Sequence, residues 1–387
     1  MNSSELLNNG NFAETIDAIL ALRQTSASAG DFFNGSESIF IYGAGNCGRD
    51  VLNLLKSRNV QVSGFFDANL PVGKVVVGVL VMRPEDPLLS AKVRAVSCVI
   101  VAIFNPDVNI RSVVTFLERL GYGRIVTFPK LHRLFPHELG NRFWLTDTAI
   151  YDACRNDIIE VYSSWHDEES RNLYRAILSL RCSGDYAYLP EPSHETQYFD
   201  PTVAIWNTPL SFIDCGCFTG DTLDNLFGRF GKVASIIAFE PDPDNFLLLA
   251  DKIRSRSERY AENLALYPCG VWSTTTMLQF NSGGGSSSAV SDKGETSVQC
   301  VALDDALPYY IPTLIKMDIE GAELDALSGG AGMIRKHRPS LAISAYHAPE
   351  HLWQIVLLLR QWNPGYKFFL RCYGYSGFET VVYAVQG

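Results

Sequence analysis

The chain has 387 residues, of which 47% are hydrophobic, so it is long enough for two globular domains that each bury a core. Its formal net charge of −10 argues against a broad nucleic-acid-binding surface, so we expect no nucleic-acid partner. No apolar run reaches the ~18 residues of a membrane helix, and residues 1–12 lack the basic and apolar regions of a secretory signal.

The nine cysteines are scattered along the chain without a C-x-x-C pair. Such an odd and irregular set indicates reduced thiols rather than a disulfide framework or a zinc site. We therefore predict a cytoplasmic protein. Cys215 and Cys217 flank a glycine, and no basic residue adjoins them to activate a thiol, so both are expected to be small packing residues.

The first predicted element is a helix at 13–23, with Ile16, Ile19 and Leu20 on one face. We assign residues 1–37 to a helical leader that docks on another part of the protein.

Residues 38–135 alternate between predicted strands and helices. The run 96–104 is apolar throughout, as expected of a parallel strand that is buried on both faces. Strands that alternate with helices indicate a parallel α/β sheet, so we predict a Rossmann-like domain of the nucleotide-binding type. The predicted elements are strands at 39–43, 61–67, 96–104 and 124–128, an extended segment within 74–81, and helices near 47–58 and 109–120.

Residues 136–205 are rich in aromatic residues and prolines without strand alternation, so we predict a helical connector that packs on a second domain. A helix is predicted at 167–181, with Asp167 as its N-cap. The aromatic stretch 194–199 is either part of this packed connector or the floor of an acceptor site.

The α/β pattern restarts in residues 206–387. The last two strands are separated by a short loop and should pair as an antiparallel hairpin. The glycine- and serine-rich segment 281–295 is either a surface loop or an active-site lid. Seven strands are predicted at 210–215, 235–240, 263–268, 313–318, 340–346, 366–372 and 379–385. The fold prediction is thus α/β, with two Rossmann-like domains.

A first glycine loop reads Gly43-x-Gly45-x-x-Gly48 between a strand and a helix, and Asp67 follows at the end of the next strand. This spacing is typical of a dinucleotide-binding turn in which the acid holds a ribose. Two interpretations stay open. The loop either binds a nucleotide or nucleotide-sugar, or its glycines only permit tight packing of the strand against the helix.

A second glycine loop has a different charge. Asp214 precedes Gly216, and Asp221 follows Gly220, so two carboxylates would repel a diphosphate. They suit a ligand with an ammonium group and hydroxyls, such as S-adenosylmethionine. Glu240 ends the next predicted strand, where a carboxylate can accept hydrogen bonds from both ribose hydroxyls. Together these acids predict a cofactor site, although each alone could be a helix cap or a solvated turn.

Six stretches of the second half, in order, resemble the FkbM-family methyltransferases. They are FIDCGCFTGDT, AFEPDPDNF, YPCGVWS, VQCVALDDAL, IKMDIEGAELDALSGG and HRPSLAISAYHAPEHLW. The resemblance covers about residues 206–387. It implies a Rossmann-like methyltransferase fold with a seven-stranded sheet and an antiparallel last hairpin. The family loop often reads D-V-G-A-N-x-G-D, whereas Cys217 and Phe218 occupy its middle here.

The resemblance also implies O-methylation of a sugar, polysaccharide or secondary metabolite with S-adenosylmethionine as the cofactor. Carried over by position, Asp214 and Gly216 approach the methionine end, and Glu240 holds the ribose. Cys269 and Gly270 would lie by the adenine. Asp318 and Glu320 would face the methyl group and the acceptor.

A sugar hydroxyl is a weak nucleophile, so a general base is expected. The candidates are His347, which follows the fifth strand, and Asp318, which could instead orient the methionine ammonium group. Lys316 is expected to be a structural ion-pair partner. Asp318 and Glu320 are too few ligands to indicate a metal, so we predict none.

Three other functions stay open. The chain could be an NAD(P)-dependent oxidoreductase, or a protein that binds a nucleotide-sugar through the first glycine loop, or a non-catalytic methyltransferase fold. The expected partner is a small-molecule or saccharide acceptor, and a two-domain chain with a leader helix could form a homodimer.

Overall fold

A computed structural model describes residues 12–22, 38–192, 196–203, 209–281, 289–290 and 296–386. Two compact units are present. The first contains the described residues up to Ile159, together with Asn172–Pro192 and Cys372–Phe378. The second contains Glu160–Arg171 and the described parts of Ser193–Arg371 and Glu379–Gly387. The predicted boundaries at residues 37, 135 and 205 stay predictions.

The first unit has a six-stranded sheet in the order β3-β4-β2-β1-β5-β6. Its strands are β1 Ser38–Tyr42, β2 Gly64–Phe66, β3 Val75–Val76, β4 Val79–Met82, β5 Ser97–Val101 and β6 Arg124–Thr127. All pairs are parallel except the β3–β4 hairpin. Every residue of β5 is buried, as the apolar run predicted. The predicted extended segment at 74–81 is thus a hairpin at the edge of the sheet.

One helix precedes these strands and the others lie between and after them; the last two each lie partly in the second unit. They are α1 Phe12–Ala21, α2 Asn46–Ser57, α3 Ala91–Val96, α4 Ile110–Arg119, α5 Phe128–Leu134, α6 Pro136–Leu139, α7 Ala149–Ala153, α8 Arg155–Tyr162 and α9 Glu168–Ser183, with a 3-10 turn at Tyr186–Tyr188. The apolar face of α1 is buried at Ile16, Ile19 and Leu20, which confirms the predicted stripe. Asp167 accepts the Ser170 N–H at 2.8 Å, so it caps α9 as expected.

The second unit has a seven-stranded sheet in the order β16-β17-β15-β14-β7-β8-β9. Its strands are β7 Ser211–Cys215, β8 Val233–Phe239, β9 Ala261–Tyr267, β14 Leu314–Met317, β15 Ser340–Ser344, β16 Tyr366–Cys372 and β17 Thr380–Gln386. Five strands of this sheet are parallel to one another, namely β7, β8, β9, β14 and β15. Strand β17 runs antiparallel to β15. The predicted α/β class, strand count and antiparallel last hairpin are therefore confirmed.

The helices of this unit are α10 Asp221–Phe230, α11 Pro243–Ser255, α12 Leu303–Ala306, α13 Glu323–Gly329, α14 Ala331–His337 and α15 His351–Trp362. A 3-10 turn at Tyr375–Gly377 belongs to the first unit. A second, four-stranded sheet was missed by the sequence analysis. Its strands are β10 Gly270–Val271, β11 Thr276–Asn281, β12 Ala289–Val290 and β13 Thr296–Val301. The proposed lid at 281–295 lies mostly outside the described residues.

None of the helices in the described ranges is both long enough and apolar enough to cross a membrane.

Candidate active site

The candidate site lies at the carboxyl ends of the parallel strands of the second unit. Asp214 belongs to the end of β7, Glu240 follows β8, and Asp318 follows β14. The start of the antiparallel strand β17 lies at the same edge, because the Ala345 N–H after β15 donates to the Thr380 carbonyl at 2.7 Å. Open α/β sheets bind ligands at this edge.

The loop between β7 and α10 requires glycine at its first turn. Gly216 has φ +80°, and a Cβ built there would lie 2.0 Å from the carbonyl oxygen of Asp318. Gly220 has φ +84° and precedes α10, which Asp221 begins with an exposed side chain. The backbone of this loop therefore packs directly on the end of β14, and no side chain fits between them.

A buried ion pair lies beneath this loop. Lys316 Nζ is 3.0 Å from Asp214 Oδ1 and donates to the Gly216 carbonyl at 2.5 Å. Burial alone would lower the pKa of Lys316, but the charges of Asp214 and Asp318 raise it above its ordinary value. The Tyr198 ring centroid lies 5.1 Å from Nζ, at cation–π distance. Lys316 is thus the ion-pair partner that the sequence predicted.

Glu240 is positioned by two backbone donors. It is only 5% exposed, and its Oε2 and Oε1 accept the N–H groups of Phe218 at 2.8 Å and Asp242 at 2.9 Å. Burial raises the pKa of Glu240, whereas these two N–H groups lower it. Each carboxylate oxygen has a second lone pair, so this fixed carboxylate can accept further hydrogen bonds from a diol.

Cys269 and Gly270 lie beside the Glu240 segment. A Cβ built at Gly270 would lie 2.9 Å from Cys300 Sγ and 3.8 Å from the Cβ of Pro241. Burial raises the pKa of the Cys269 thiol to about 11, so this cysteine stays protonated near neutral pH. All nine cysteines are free thiols, and Cys215 and Cys217 are buried in the core as predicted.

Asp318 accepts a hydrogen bond from one tyrosine and lies close to the hydroxyl of a second. The Tyr198 hydroxyl donates to its Oδ2 at 2.8 Å, and the Tyr346 hydroxyl lies 3.5 Å from Oδ1. Burial and the charge of Asp318 raise the pKa of Tyr198 well above its ordinary value, so that hydroxyl remains a donor. His347 Nε2 approaches the same Oδ1 at 3.4 Å. Asp318 is therefore oriented from three sides.

Glu379 is a second carboxylate of this cluster, immediately before β17. Gln197 Nε2 donates to it at 2.6 Å, and the Tyr346 hydroxyl donates at 3.1 Å. Burial and the charge of Asp318 raise the pKa of Glu379 to about 7. Glu320 behaves similarly, since burial raises its pKa to about 7. Both glutamates have φ +53°, a backbone region that few residues other than glycine adopt.

His347 is held by a buried carboxylate. Glu323 Oε1 lies 2.8 Å from His347 Nδ1, and Glu323 Oε2 lies 3.1 Å from His351 Nδ1. Burial alone would lower the pKa of His347, but Glu323, Asp318 and Glu320 raise it to about 10. The imidazole is consequently protonated near neutral pH and acts as a cation within the carboxylate cluster.

Asp318, Glu323 and His347 offer ligand atoms that all lie within 4.8 Å of one another, the spacing of a metal-binding group. However, Glu323 contacts Nδ1 of the imidazole whereas Asp318 contacts Nε2. The ring thus lies between the two carboxylates, and the three groups are better described as a carboxylate–imidazolium–carboxylate chain. The sequence-based expectation of no metal stays a prediction.

The first glycine loop lies in the first unit, and Asp67 hydrogen-bonds to its backbone. Asp67 Oδ2 accepts the Ala44 N–H at 2.9 Å. A Cβ at Gly48 would lie 1.9 Å from the Gly43 carbonyl oxygen, so Gly48 is needed for packing. A Cβ at Gly45 would meet no atom within 4 Å. Close packing thus explains why residue 48 is a glycine. At Gly45 no atom would obstruct a side chain, so packing does not explain that glycine. The nucleotide site at Gly43, Gly45, Gly48 and Asp67 stays a prediction.

Sequence reasoning missed several members of the cluster. It interpreted Glu379 as either a residue that faces the acceptor or the start of the last strand, and it did not consider Tyr346, Glu323 or His351. Tyr198 entered only as part of a candidate acceptor floor. The available signal was the polar run around His347, where Tyr346 directly follows a buried strand. The catalytic and cofactor-binding roles of the predicted residues, including Asp221, Cys269 and Gly270, stay predictions.

Comparisons with known proteins agree with this fold. Residues 214–370 match the family described as Methyltransferase FkbM domain. The crystal structure of methyltransferase FkbM from Methylobacillus flagellatus KT is 20% identical, with a TM-score of 0.79, and the match covers 96% of this chain and 99% of that one. Fibrillarin from Aeropyrum pernix, solved with bound S-adenosyl-L-methionine, is 10% identical with a TM-score of 0.31 over 47% of this chain and 70% of that one. No curated protein matches the sequence significantly. Residues 214–370 of the second unit are therefore similar to the FkbM methyltransferase domain.

Proposed function

We propose that the chain is an S-adenosylmethionine-dependent methyltransferase that methylates a hydroxyl group of a saccharide or another small molecule. The observation that carries this proposal is the pairing of two features at one sheet edge. One is a glycine loop that tolerates no side chain at Gly216, and the other is Glu240, a buried carboxylate fixed by two N–H groups. Such a loop suits a closely approaching ligand, and such a carboxylate suits a ribose diol.

The remaining predicted residues have roles that fit this cofactor. Glu240 would hold the ribose, and Cys269 and Gly270, beside Pro241, would border the adenine. Asp214 and Gly216 would lie at the methionine end. Asp214 is paired with Lys316, so its charge is already compensated by that ion pair. Asp221 adds negative charge at the start of α10.

When bound, S-adenosylmethionine supplies a methyl carbon on a sulfonium ion. Methylation of a hydroxyl releases a proton, which a residue of the site must accept. Of the two predicted bases, His347 is disfavoured because its pKa is raised to about 10 by Glu323 and the neighbouring carboxylates. Asp318 is favoured, and the His347 imidazolium would orient its Oδ1.

The acceptor side fits a polyol. Hydroxyl, amide and carboxylate groups lie around Asp318, and each of these group types can hydrogen-bond to sugar hydroxyls. They belong to Tyr198, Gln197, Tyr346 and Glu379. Tyr198, Gln197 and Glu379 lie outside the matched family segment 214–370, so they are candidates for acceptor selection. We also propose a cytoplasmic location, consistent with nine free thiols, and a homodimer as a candidate assembly.

The alternative proposal is an NAD(P)-dependent oxidoreductase or a nucleotide-sugar-binding protein that acts through the first glycine loop. The open space beside Gly45 favours a ligand there. Against it, Asp67 already accepts three backbone N–H groups, those of Ala44, Asn69 and Leu70, so it has less capacity left for ribose hydroxyls than Glu240, which accepts two.

Calorimetric titration tests the main proposal. We expect S-adenosylhomocysteine to bind with a micromolar Kd, which corresponds to about 8 kcal/mol. Glu240→Ala should weaken S-adenosylhomocysteine binding about 100-fold, because the two ribose hydroxyls would lose their hydrogen bonds to the charged carboxylate. The exposed Glu258→Ala variant is the matched control and should bind like the wild type. Binding of NADH or a UDP-sugar, without binding of S-adenosylhomocysteine, would show that the first loop is the working site.

A further inference from the structure

Phe218 is an aromatic residue in an unfavourable backbone conformation within the β7–α10 loop. Its φ is +47°, in the left-handed region that bulky side chains rarely adopt. The two other left-handed residues of this loop, Gly216 and Gly220, are glycines, which adopt that region without steric cost. The conformation of Phe218 is thus maintained by its surroundings at the expense of stability.

Burial of the ring does not compensate for this strain. Phe218 is 37% exposed, whereas the preceding Cys217 is fully buried. Because more than a third of its surface stays in water, Phe218 gains only part of the free energy that full burial of a phenylalanine would provide. An asparagine would adopt the same backbone conformation more easily. The folded protein alone therefore gives no reason for an aromatic residue at this position.

The position of Phe218 relative to Glu240 supplies a reason. The Phe218 N–H donates to Glu240 Oε2 at 2.8 Å, so residue 218 lies directly beside the carboxylate proposed to hold the ribose. The preceding N–H groups of Gly216 and Cys217 both donate to the Phe239 carbonyl, at 3.0 and 3.1 Å. These three contacts fix the loop against the end of β8, so the backbone of Phe218 lies at the proposed ribose edge of the site.

We propose that Phe218 contacts the cofactor and that its ring packs against the nucleoside of S-adenosylmethionine. The inference rests on the proposed function, because it assumes that Glu240 holds the ribose. Aromatic rings stack favourably on nucleobases, and the strained backbone is what brings the ring to the ligand while its N–H holds Glu240. Phe218 is therefore a binding residue whose local strain is maintained for ligand contact.

The test uses three variants of the full chain. Phe218→Asn removes the ring but suits the left-handed backbone, so we expect a Tm about 2 °C higher and S-adenosylhomocysteine binding about 10-fold weaker. Phe218→Leu keeps an apolar side chain and the strain, so binding should weaken without a rise in Tm. Phe218→Tyr keeps the ring and should bind within about 2-fold of the wild type, the limit we set for unchanged affinity.

A second ligand identifies the part of the cofactor that the ring contacts. 5′-Methylthioadenosine contains the nucleoside without the amino-acid end, so Phe218→Asn should weaken its binding by a similar factor. If Phe218→Asn and Phe218→Leu both bind S-adenosylhomocysteine like the wild type, the inference is wrong while the proposed function stands. If the wild type binds neither ligand, both fail together. If one variant fails to fold, the other still decides the result.

Discussion

Replacing Gly216 with alanine is expected to abolish measurable S-adenosylhomocysteine binding and to destabilise the second unit. The added Cβ would lie 2.0 Å from the Asp318 carbonyl oxygen, on a backbone with φ +80°. A side chain in this backbone region costs about 1–3 kcal/mol, and the clash adds about 1–3 kcal/mol more. The loop would have to move away from β14, and the Lys316 contact with the Gly216 carbonyl would be lost.

Gly228→Ala is the matched control for this prediction. Gly228 lies within α10, and a Cβ there would meet no atom within 4 Å. Alanine is a better helix former than glycine by about 1 kcal/mol, so this variant should be slightly more stable and should bind normally. Thermal unfolding and calorimetry on both variants measure the two effects. Wild-type affinity in Gly216→Ala would show that the β7–α10 loop does not cradle the cofactor.

The second large effect concerns Glu323, the buried carboxylate between His347 and His351. Glu323→Gln should lower the free energy of unfolding by about 3–5 kcal/mol, because it removes one partner of a buried ion pair with His347. His347 and His351 lie 2.8 and 3.1 Å from the Glu323 carboxylate oxygens. Asp325→Asn, two residues further along the same helix, should change stability by less than about 0.5 kcal/mol.

The ion pair between His347 and Glu323 also predicts that the free energy of unfolding depends on pH. The pKa of His347 is raised to about 10 in the folded protein, mainly by Glu323 acting against burial. Because the unfolded pKa is about 6.5, this contribution to stability is complete below pH 6.5 and is lost as the pH rises towards 10. The loss has a slope of up to about 1.4 kcal/mol per pH unit.

Glu323 makes the protein less stable at acid pH, the opposite direction of pH change. Its pKa is held well below the usual value by His347 and His351, against the effect of burial, so its contribution is present above the unfolded pKa and is lost as the pH falls below it. Denaturant titrations from pH 5 to 9 should show a decline in stability above pH 6.5 that is clearly shallower in Glu323→Gln, in which only Asp318 and Glu320 still raise the pKa of His347. An equally steep decline in that variant would assign the pH dependence to another group. His347→Gln combined with Glu323→Gln should be more stable than Glu323→Gln alone.

Much of the second unit was accessible from the sequence. Most of the parallel strands are short, largely apolar runs, and the acids Asp214, Glu240 and Asp318 stand at or just beyond the strand ends where the pattern predicted them. Strand ends are predictable because a fully buried strand must be apolar along its length, and polarity returns where it leaves the core. The small sheet containing β10 to β13 was missed, because β10 and β12 are only two residues long and carry little periodicity.

By itself, the sequence determined the α/β class, the seven-stranded sheet, the glycine loop and the acids at its edge. Those features depend on local periodicity and on residue types that only certain backbone turns accept. Only the tertiary structure decided which side chains surround Asp318. Tyr198 and Glu379 are far from it along the chain but hydrogen-bond within one cluster. The protonation of His347 was likewise decided by folding, because it depends on Glu323 being buried 2.8 Å away, and no local pattern encodes that distance.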